Sequence, residues 1–275
     1  MKAAKLLPNV EGEGTIGAGT KDGEGTMEER RGFELTSVQL HVLAMGLMMC
    51  DHMWATLFPA QEWLTCVGRL AYPIFAFLLA EGYAHTGDLR RYALRLLVWA
   101  VLSEVPFDLM YGGSVFYPFH QNVLWTFLLS LGLLVLTNRC RARFRPWLAL
   151  PLTALLALAG YVLGYAAMVD YYGAGVLMVL VFHLFRGRDW KNRLAQLVCL
   201  YILNVSLLGS YYYEVTLFGL TLELVQQGLA LAALVPIWLY RGRQGHRSRA
   251  FQYFCYAFYP LHILALVAVQ SWILG

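Results

Sequence analysis

The residues of this chain able to carry acid–base chemistry are few, and most interrupt runs of apolar sequence. Asp51 and His52 sit in LMMCDHMWATLFP, Arg69 stands alone in GRLAYPIFAFLLAEGY, and Glu104 and Asp108 are four apart in SEVPFDLMY. His120, Gln121 and Asn122 are consecutive in YPFHQNVLWTF, Asp170 precedes two tyrosines, and His262 falls within FYPLHILAL. Glu81 and His85 close one apolar run, and Glu223, Gln226 and Gln227 mark another. Histidine exchanges protons near neutral pH. A carboxylate beside it sets its charge and orientation, and arginine or asparagine donors stabilise an oxygen that becomes negative. Such a set suits proton transfer and group transfer. No Walker, GxSxG, HExxH or GxGxxG pattern occurs in a fitting context. Cys50, Cys66, Cys140, Cys199 and Cys255 lack CxxC spacing, so neither a metal site nor a disulfide framework is expected.

The elements that must hold these residues are dictated by bulk composition. Of 275 residues, 59% are hydrophobic and 14% charged, about half the charge of an ordinary soluble domain. That much apolar surface needs lipid as solvent, and the stretch after Glu34 supplies runs near the ~20 residues a spanning helix requires. A β-barrel would show short alternating segments, whereas these are apolar on all sides. The expected fold is therefore all-α and polytopic, with about nine (8–10) transmembrane helices. Their approximate positions are 37–58, 65–84, 92–111, 121–137, 147–166, 173–186, 194–209, 218–240 and 251–272. Residues 1–33 lack the apolar core of a signal peptide and read as a polar disordered tail; Met27 is an alternative start. Residues 34–275 read as a single transmembrane domain.

Orientation follows from the basic residues. Beyond the tail, Lys and Arg cluster at 90–95, 139–145, 186–193 and 241–249, which are alternate connections, so 20 of 21 fall on one side. By the positive-inside rule the N-terminus is cytoplasmic and the C-terminus outside; His246 belongs to a solvated basic loop. The net charge of +4 arises from these loops and does not argue for nucleic acid. Arg69 alone breaks the pattern, roughly 6 Å below the outer interface at 1.5 Å per residue. A charge there is paired, functional or snorkelling, and Asp51, Glu104 and Asp108 are the expected partners. His52 lies roughly 9 Å below the same interface. Adjacent helical residues point apart, so Asp51 and His52 serve different partners. Glu104 and Asp108 share a face, and Pro106 between them should disturb the helix. His52 and His120 are expected to line one outward-opening cavity.

The blocks DHMWATLFP, GRLAYPIFAFLLAEGYAHT, RRYALRLLVWAVLSEVPFDLMY, FHQNVLWTFLLSL, DYYGAGVLMVLVFHLF and FQYFCYAFYPLH, in this order and spacing, resemble the TraX family from about Leu40 to the C-terminus. In that resemblance Asp51–His52 match the first-helix DH, Arg69 the GR, Glu81 the EG, Glu104 and Asp108 the SE-PFD, His120–Asn122 the HQN and His262 the YPLH. The likeness implies a bacterial inner-membrane, multi-pass acetyltransferase, a branch of the wider transmembrane acyltransferases. Its donor would be cytoplasmic acetyl-CoA, and its acceptor an extracytoplasmic amine or hydroxyl, such as the N-terminus of a pilin-like protein or a small amine or sugar.

On that basis His52 and His120 are the candidate bases, and Arg69 and Asn122 the candidate oxyanion donors. Asp51, Glu104 and Asp108 would tune or orient their partners. Contacts to acetyl-CoA are expected from Arg69, His262, Glu81, Arg139 and Arg143. No serine or cysteine has an evident activating partner, so direct transfer is favoured over an acyl-enzyme. The rival readings are a proton-coupled transporter, which also needs intramembrane charges, and a non-enzymatic membrane assembly factor. The outward skew of the polar residues and the absence of similar halves weigh against the transporter.

Overall fold

The computed structural model describes residues 34–274 apart from 210, 218, 219, 246 and 247. The tail expected at 1–33, the alternative start at Met27 and the reading of His246 therefore lie outside the described residues. The chain is mostly helical: α1 Ser37–Thr56, α2 Glu62–Gly68, α3 Ala71–His85, α4 Leu89–Gly112, α5 Val123–Arg143, α6 Pro146–Ala166, α7 Tyr172–Leu184, α8 Trp190–Tyr201, α9 Leu234–Leu239 and α10 Arg249–Leu274. Four apolar helical stretches are long enough to cross a membrane: Glu62–His85, Val123–Arg143, Pro146–Ala166 and Ala250–Ile273. Helices α1 and α4 are 20 and 24 residues long, but they carry Asp51 and His52, and Arg95, Glu104 and Asp108, which lower their hydropathy.

Helices α3 and α7 form the centre. Ten of the 15 residues of α3 and eight of the 13 of α7 are buried, and α7 packs against α3, α5, α6 and α8. Small residues permit this closeness. A Cβ on Gly173 would lie 2.1 Å from the Tyr161 carbonyl oxygen, and one on Gly164 would lie 2.7 Å from the Gly173 Cα. With Gly160 these form a small-xxx-small face of the kind that lets helix backbones meet in lipid. The periphery is the reverse of a soluble protein: Leu94, Val98, Val101 and Val105 on α4 and Leu150, Leu155, Leu158 and Val162 on α6 are exposed. Apolar belts that large on secondary structure with satisfied backbone are stable only against lipid, so this is a membrane protein.

Two departures from the expected helices shape the site. The second span is not one rod: α2 ends at Gly68, Arg69 and Leu70 form a turn, and α3 starts at Ala71. The expected spans at 194–209 and 218–240 are also broken. Helix α8 passes into a π-helical turn, Ile202–Leu207. Strands β1 Tyr212–Leu217 and β2 Leu220–Val225 then pair antiparallel, with Tyr212 opposite Val225. A 3-10 segment, Gln226–Ala233, leads into the short α9. The reason is local. Residues 213–217 and 220–224 alternate apolar side chains with Glu or Thr, the period-two pattern of a strand, which a sum of hydropathy over a window hides. The hairpin is the one strand pair among the described residues, and it corrects the all-α expectation at that place.

Candidate active site

Asp51, one turn from the end of α1, meets the break between α2 and α3. Its Oδ1 accepts from Arg69 Nη2 at 2.5 Å and from Thr65 Oγ1 at 2.8 Å, and Arg69 Nη2 is also 3.0 Å from Thr65 Oγ1. Gly68 makes this approach possible, because a Cβ there would stand 2.5 Å from Asp51 Cβ. Arg69 Nη1 reaches Gln227 Oε1 at 3.5 Å, and Gln227 Nε2 donates to Asn204 Oδ1 at 3.0 Å. Asn204 lies in the π-helical turn, a distortion often found at functional sites. One polar chain thus runs from α1 through the helix break to the π turn. Glu104 and Asp108, also expected as partners of Arg69, take no part in it.

His52 points elsewhere, as the 100° step between neighbours requires. Its Nδ1 lies 2.6 Å from His262 Nε2 on α10, and His262 Nδ1 lies 2.6 Å from the Phe258 carbonyl oxygen. The rings are parallel within 2° with centroids 4.8 Å apart. A carbonyl only accepts, so His262 Nδ1 carries a proton. With both rings neutral, His262 Nε2 then accepts and His52 Nδ1 donates. The network therefore assigns His52 the tautomer whose Nε2 presents a lone pair, and that nitrogen has no hydrogen-bond partner among the described residues. Tyr259 flanks both rings, with centroids 6.1 Å from His52 and 6.0 Å from His262. Of the residues expected to contact the acyl donor, His262 thus stands directly behind His52.

The remaining expected site residues form a second cluster, tied together by hydrogen bonds and ring contacts. Asn122 caps α5: its Oδ1 accepts from Leu124 N at 3.0 Å, while its Nδ2 donates to the Ala100 carbonyl at 2.9 Å and to Glu104 Oε2. Both amide protons thus meet acceptors on α4. Glu104 Oε2 also accepts from Trp125 Nε1 at 2.8 Å. Asp108 Oδ2 accepts from Tyr117 N at 3.0 Å and so ties the α4–α5 connection to α4. Helix α4 continues through Pro106 to a left-handed cap at Gly113. His120 is buried, stacked on Tyr111 at 4.4 Å and Phe107 at 5.6 Å, with Nε2 3.4 Å from Asp170 Oδ1.

The Asp170 loop is strained: Met168, Tyr171 and Tyr172 all have positive φ, at 50°, 58° and 47°, costly for side chains of this size. It is held by backbone bonds from Gln121 N to the Met168 carbonyl and from Asp170 N to the Gln121 carbonyl, both 2.9 Å. Tyr171 in turn stacks on Tyr72 at 3.9 Å. His120 is thus clamped by the rings of Phe107, Tyr111 and Tyr172, and these contacts are separate from those of His52.

One cavity extends from the end of the bundle where α1, α4 and α10 begin and α3 finishes as far as the first turn of α5, and a second lies beside the end of α3. The first has a volume of about 330 Å³ and is lined by Met45, Met48, Phe75, Val123 and Phe127 together with His41, Glu81, His85, Arg95 and Tyr259. The second, about 450 Å³, shares Glu81, His85 and Tyr240 with the first and adds Arg186, Arg188, Arg193 and Trp238. Neither cavity is lined by His52 or His120, so the expected shared cavity is not among these two. Arg139 and Arg143, at the end of α5, line neither as well. Glu81 instead accepts from Arg186 Nε at 2.5 Å and from its Nη2 at 3.2 Å. The residues that sequence reasoning left out are Tyr259, Thr65 and Asn204. None breaks an apolar run with a charge, and only their neighbours in space give them meaning.

The TraX protein family model matches residues 37–270. A probable fimbrial assembly protein FimC (serogroup H1) of Dichelobacter nodosus is 28% identical over 257 residues, 88% of this chain and 99% of that protein. Protein TraX of Escherichia coli K12 is 28% identical over 197 residues, 70% of this chain and 74% of its own. No solved structure matches. With the family pattern spanning nearly every element described, from the start of α1 to the last turns of α10, the chain belongs to the TraX family.

Proposed function

We propose that this protein is an integral-membrane acyltransferase that moves an acetyl group from cytoplasmic acetyl-CoA to an amine or hydroxyl on the extracytoplasmic side. A pilin-like N-terminus is the acceptor that best suits a family with a fimbrial assembly relative. The supporting observation is one alignment of parts: a cavity whose wall includes Tyr259, beside a histidine pair whose outer member presents a free Nε2. In this reading the thioester arm enters from the end with the basic loops, and the acceptor comes from the opposite end. His52 Nε2 takes the acceptor's proton as the acceptor attacks the thioester carbonyl. His262 and the Phe258 carbonyl hold the ring and spread the charge it gains. Arg69, neutralised in part by Asp51, is the donor nearest in kind to what the developing oxyanion needs. The thiolate then leaves as CoA.

The same reading sets the protein in the bacterial inner membrane with multiple spans, N-terminus inside and C-terminus outside, from the alternation of basic connections. The alternatives of a proton-coupled transporter and an assembly factor are separated by one assay. Purified protein in detergent or nanodiscs, given acetyl-CoA and a peptide with a free N-terminus, should release CoA and yield acetylated peptide. Acetylated product absent with every amine and hydroxyl acceptor tried, alongside proton-driven solute uptake in proteoliposomes, would transfer the assignment to transport.

A further inference from the structure

The second cavity has a composition that the chemistry at His52 does not use. Arg186, Arg188 and Arg193 bring three guanidinium groups to one space of about 450 Å³, and the one carboxylate there, Glu81, is committed to Arg186 in a two-point ion pair. That pairing keeps Arg186 charged, its guanidinium held further up by the Glu81 hydrogen bonds. Arg188 and Arg193 have no carboxylate within ion-pair distance among the described residues. A concave wall with uncompensated positive charge selects anions and attracts them from a distance, and planar guanidinium forks match phosphate oxygens.

The cavity also has a flat, immobilised wall. Trp238 Nε1 donates to Gln196 Oε1 at 2.7 Å, and Gln196 Nε2 donates to the Phe185 carbonyl at 2.7 Å, so the indole cannot swing away. Arg193 Cζ stands 5.7 Å from its ring centroid. An aromatic face beside cationic groups is a stacking surface for a nucleobase. Glu81, His85 and Tyr240 line both cavities, and the first adds apolar side chains such as Met45, Met48, Phe75 and Phe127 together with Arg95, whose Nε is buried with no hydrogen-bond partner among the described residues. A single ligand that fits both has several phosphates and a base at one end and a narrow, extended arm at the other.

We infer that the Arg186–Arg188–Arg193 cavity anchors the phosphorylated nucleotide end of the acyl donor, with its arm passing Glu81, His85 and Tyr240 into the first cavity; this rests on the acyl-transfer reading above. The anchor is then the connection between α7 and α8 together with α8 itself, and not Arg139 or Arg143. Adenosine 3′,5′-bisphosphate, which carries phosphates but no arm, is the probe. It should raise the melting temperature of the purified protein, and Arg188→Gln or Arg193→Gln should each weaken that binding roughly tenfold, as loss of a charge-assisted phosphate contact does. Arg90→Gln, an exposed arginine at the same end of the bundle, should bind it as the parent does. In turnover, Arg188→Gln should raise KM for acetyl-CoA about tenfold with kcat within twofold, and the parent's preference for CoA over its 3′-dephospho form should shrink. Arg188 is exposed and Arg193 half-buried, and unchanged melting of the unliganded variants confirms folding. Bisphosphate binding unaffected by Arg188→Gln and Arg193→Gln, or weakened by Arg139→Gln and Arg143→Gln instead, overturns the assignment. So does displacement of the probe's effect by phosphatidylglycerol vesicles, which would make this a lipid headgroup site. A protein that releases no CoA yet binds the bisphosphate through these arginines fails the acyl-transfer reading alone. One that turns over normally as Arg188→Gln/Arg193→Gln fails the anchor alone.

Discussion

The histidine pair offers the sharpest test of the proposed chemistry. Replacing His262 by Phe keeps a flat ring against Tyr259 and Phe258 but removes the acceptor at Nε2, 2.6 Å from His52 Nδ1. The His52 N–H then loses its partner, a loss of about 1–3 kcal/mol. If that cost falls on the orientation needed in the transition state, it converts to roughly 5- to 150-fold in rate at 1.36 kcal/mol per tenfold. His52→Ala removes the base itself and should cost about 10²–10⁴-fold. The two changes should not multiply, because His262 acts only through His52. The double variant should therefore be no slower than His52→Ala, the signature of residues working as a unit. His262→Gln, whose amide oxygen is able to accept from His52 Nδ1, should recover much of the loss. The assay is steady-state CoA release with a peptide acceptor, with thermal unfolding in the same detergent to show that the variants are folded. Multiplicative losses in the double variant would refute the relay, and a His52→Ala protein at full rate would refute the base.

Asp51→Asn and Arg69→Gln should each destabilise the protein by more than the double variant implies if added, with a coupling of about 1–3 kcal/mol in a double-mutant cycle; additive effects would dissolve the pair shown at 2.5 Å. Gly68→Ala drives a methyl into Asp51 and should resemble Asp51→Ala in activity and melting, whereas Gly46→Ala, with open space around it, should be neutral. Asn122→Ala should cost about 1–3 kcal/mol of stability through the lost α5 cap and the stranded Glu104, while the folded fraction keeps its turnover within a few fold; a large kcat loss in well-folded protein would assign Asn122 to the oxyanion site. A reporter fused after Gly275 should be active outside the cytoplasm, and a cytoplasmic signal there would reverse the placement of both ends of the path.

Much of this protein is decided by composition along the chain. Apolar runs with sparse charge force a helical membrane protein, because a bilayer offers backbone groups no other partner. A lone arginine among apolar residues demands an acid, and the close-packed glycines of α6 and α7 reflect contact that only a missing side chain permits. Local pattern also announced that Asp51 and His52 serve different partners, since a helix sends neighbours in different directions. Partner choice was settled elsewhere. Arg69 had three acids of suitable depth, and the break after Gly68 turned it to Asp51, while Asn122 and Tyr117 N had already claimed Glu104 and Asp108. His52 and His262 are 210 positions apart, and no spacing rule links α1 to α10. The alternating side chains of 213–217 and 220–224 favoured strands where summed hydropathy favoured a span, because hairpin pairing satisfies the same backbone groups. The basic residues recur in alternate connections along the chain, yet among the described residues it is those after α7 that line the cavity with an immobilised indole. Which arginines face a pocket depends on how helices pack, and that is a property of distances that the one-dimensional chain does not contain.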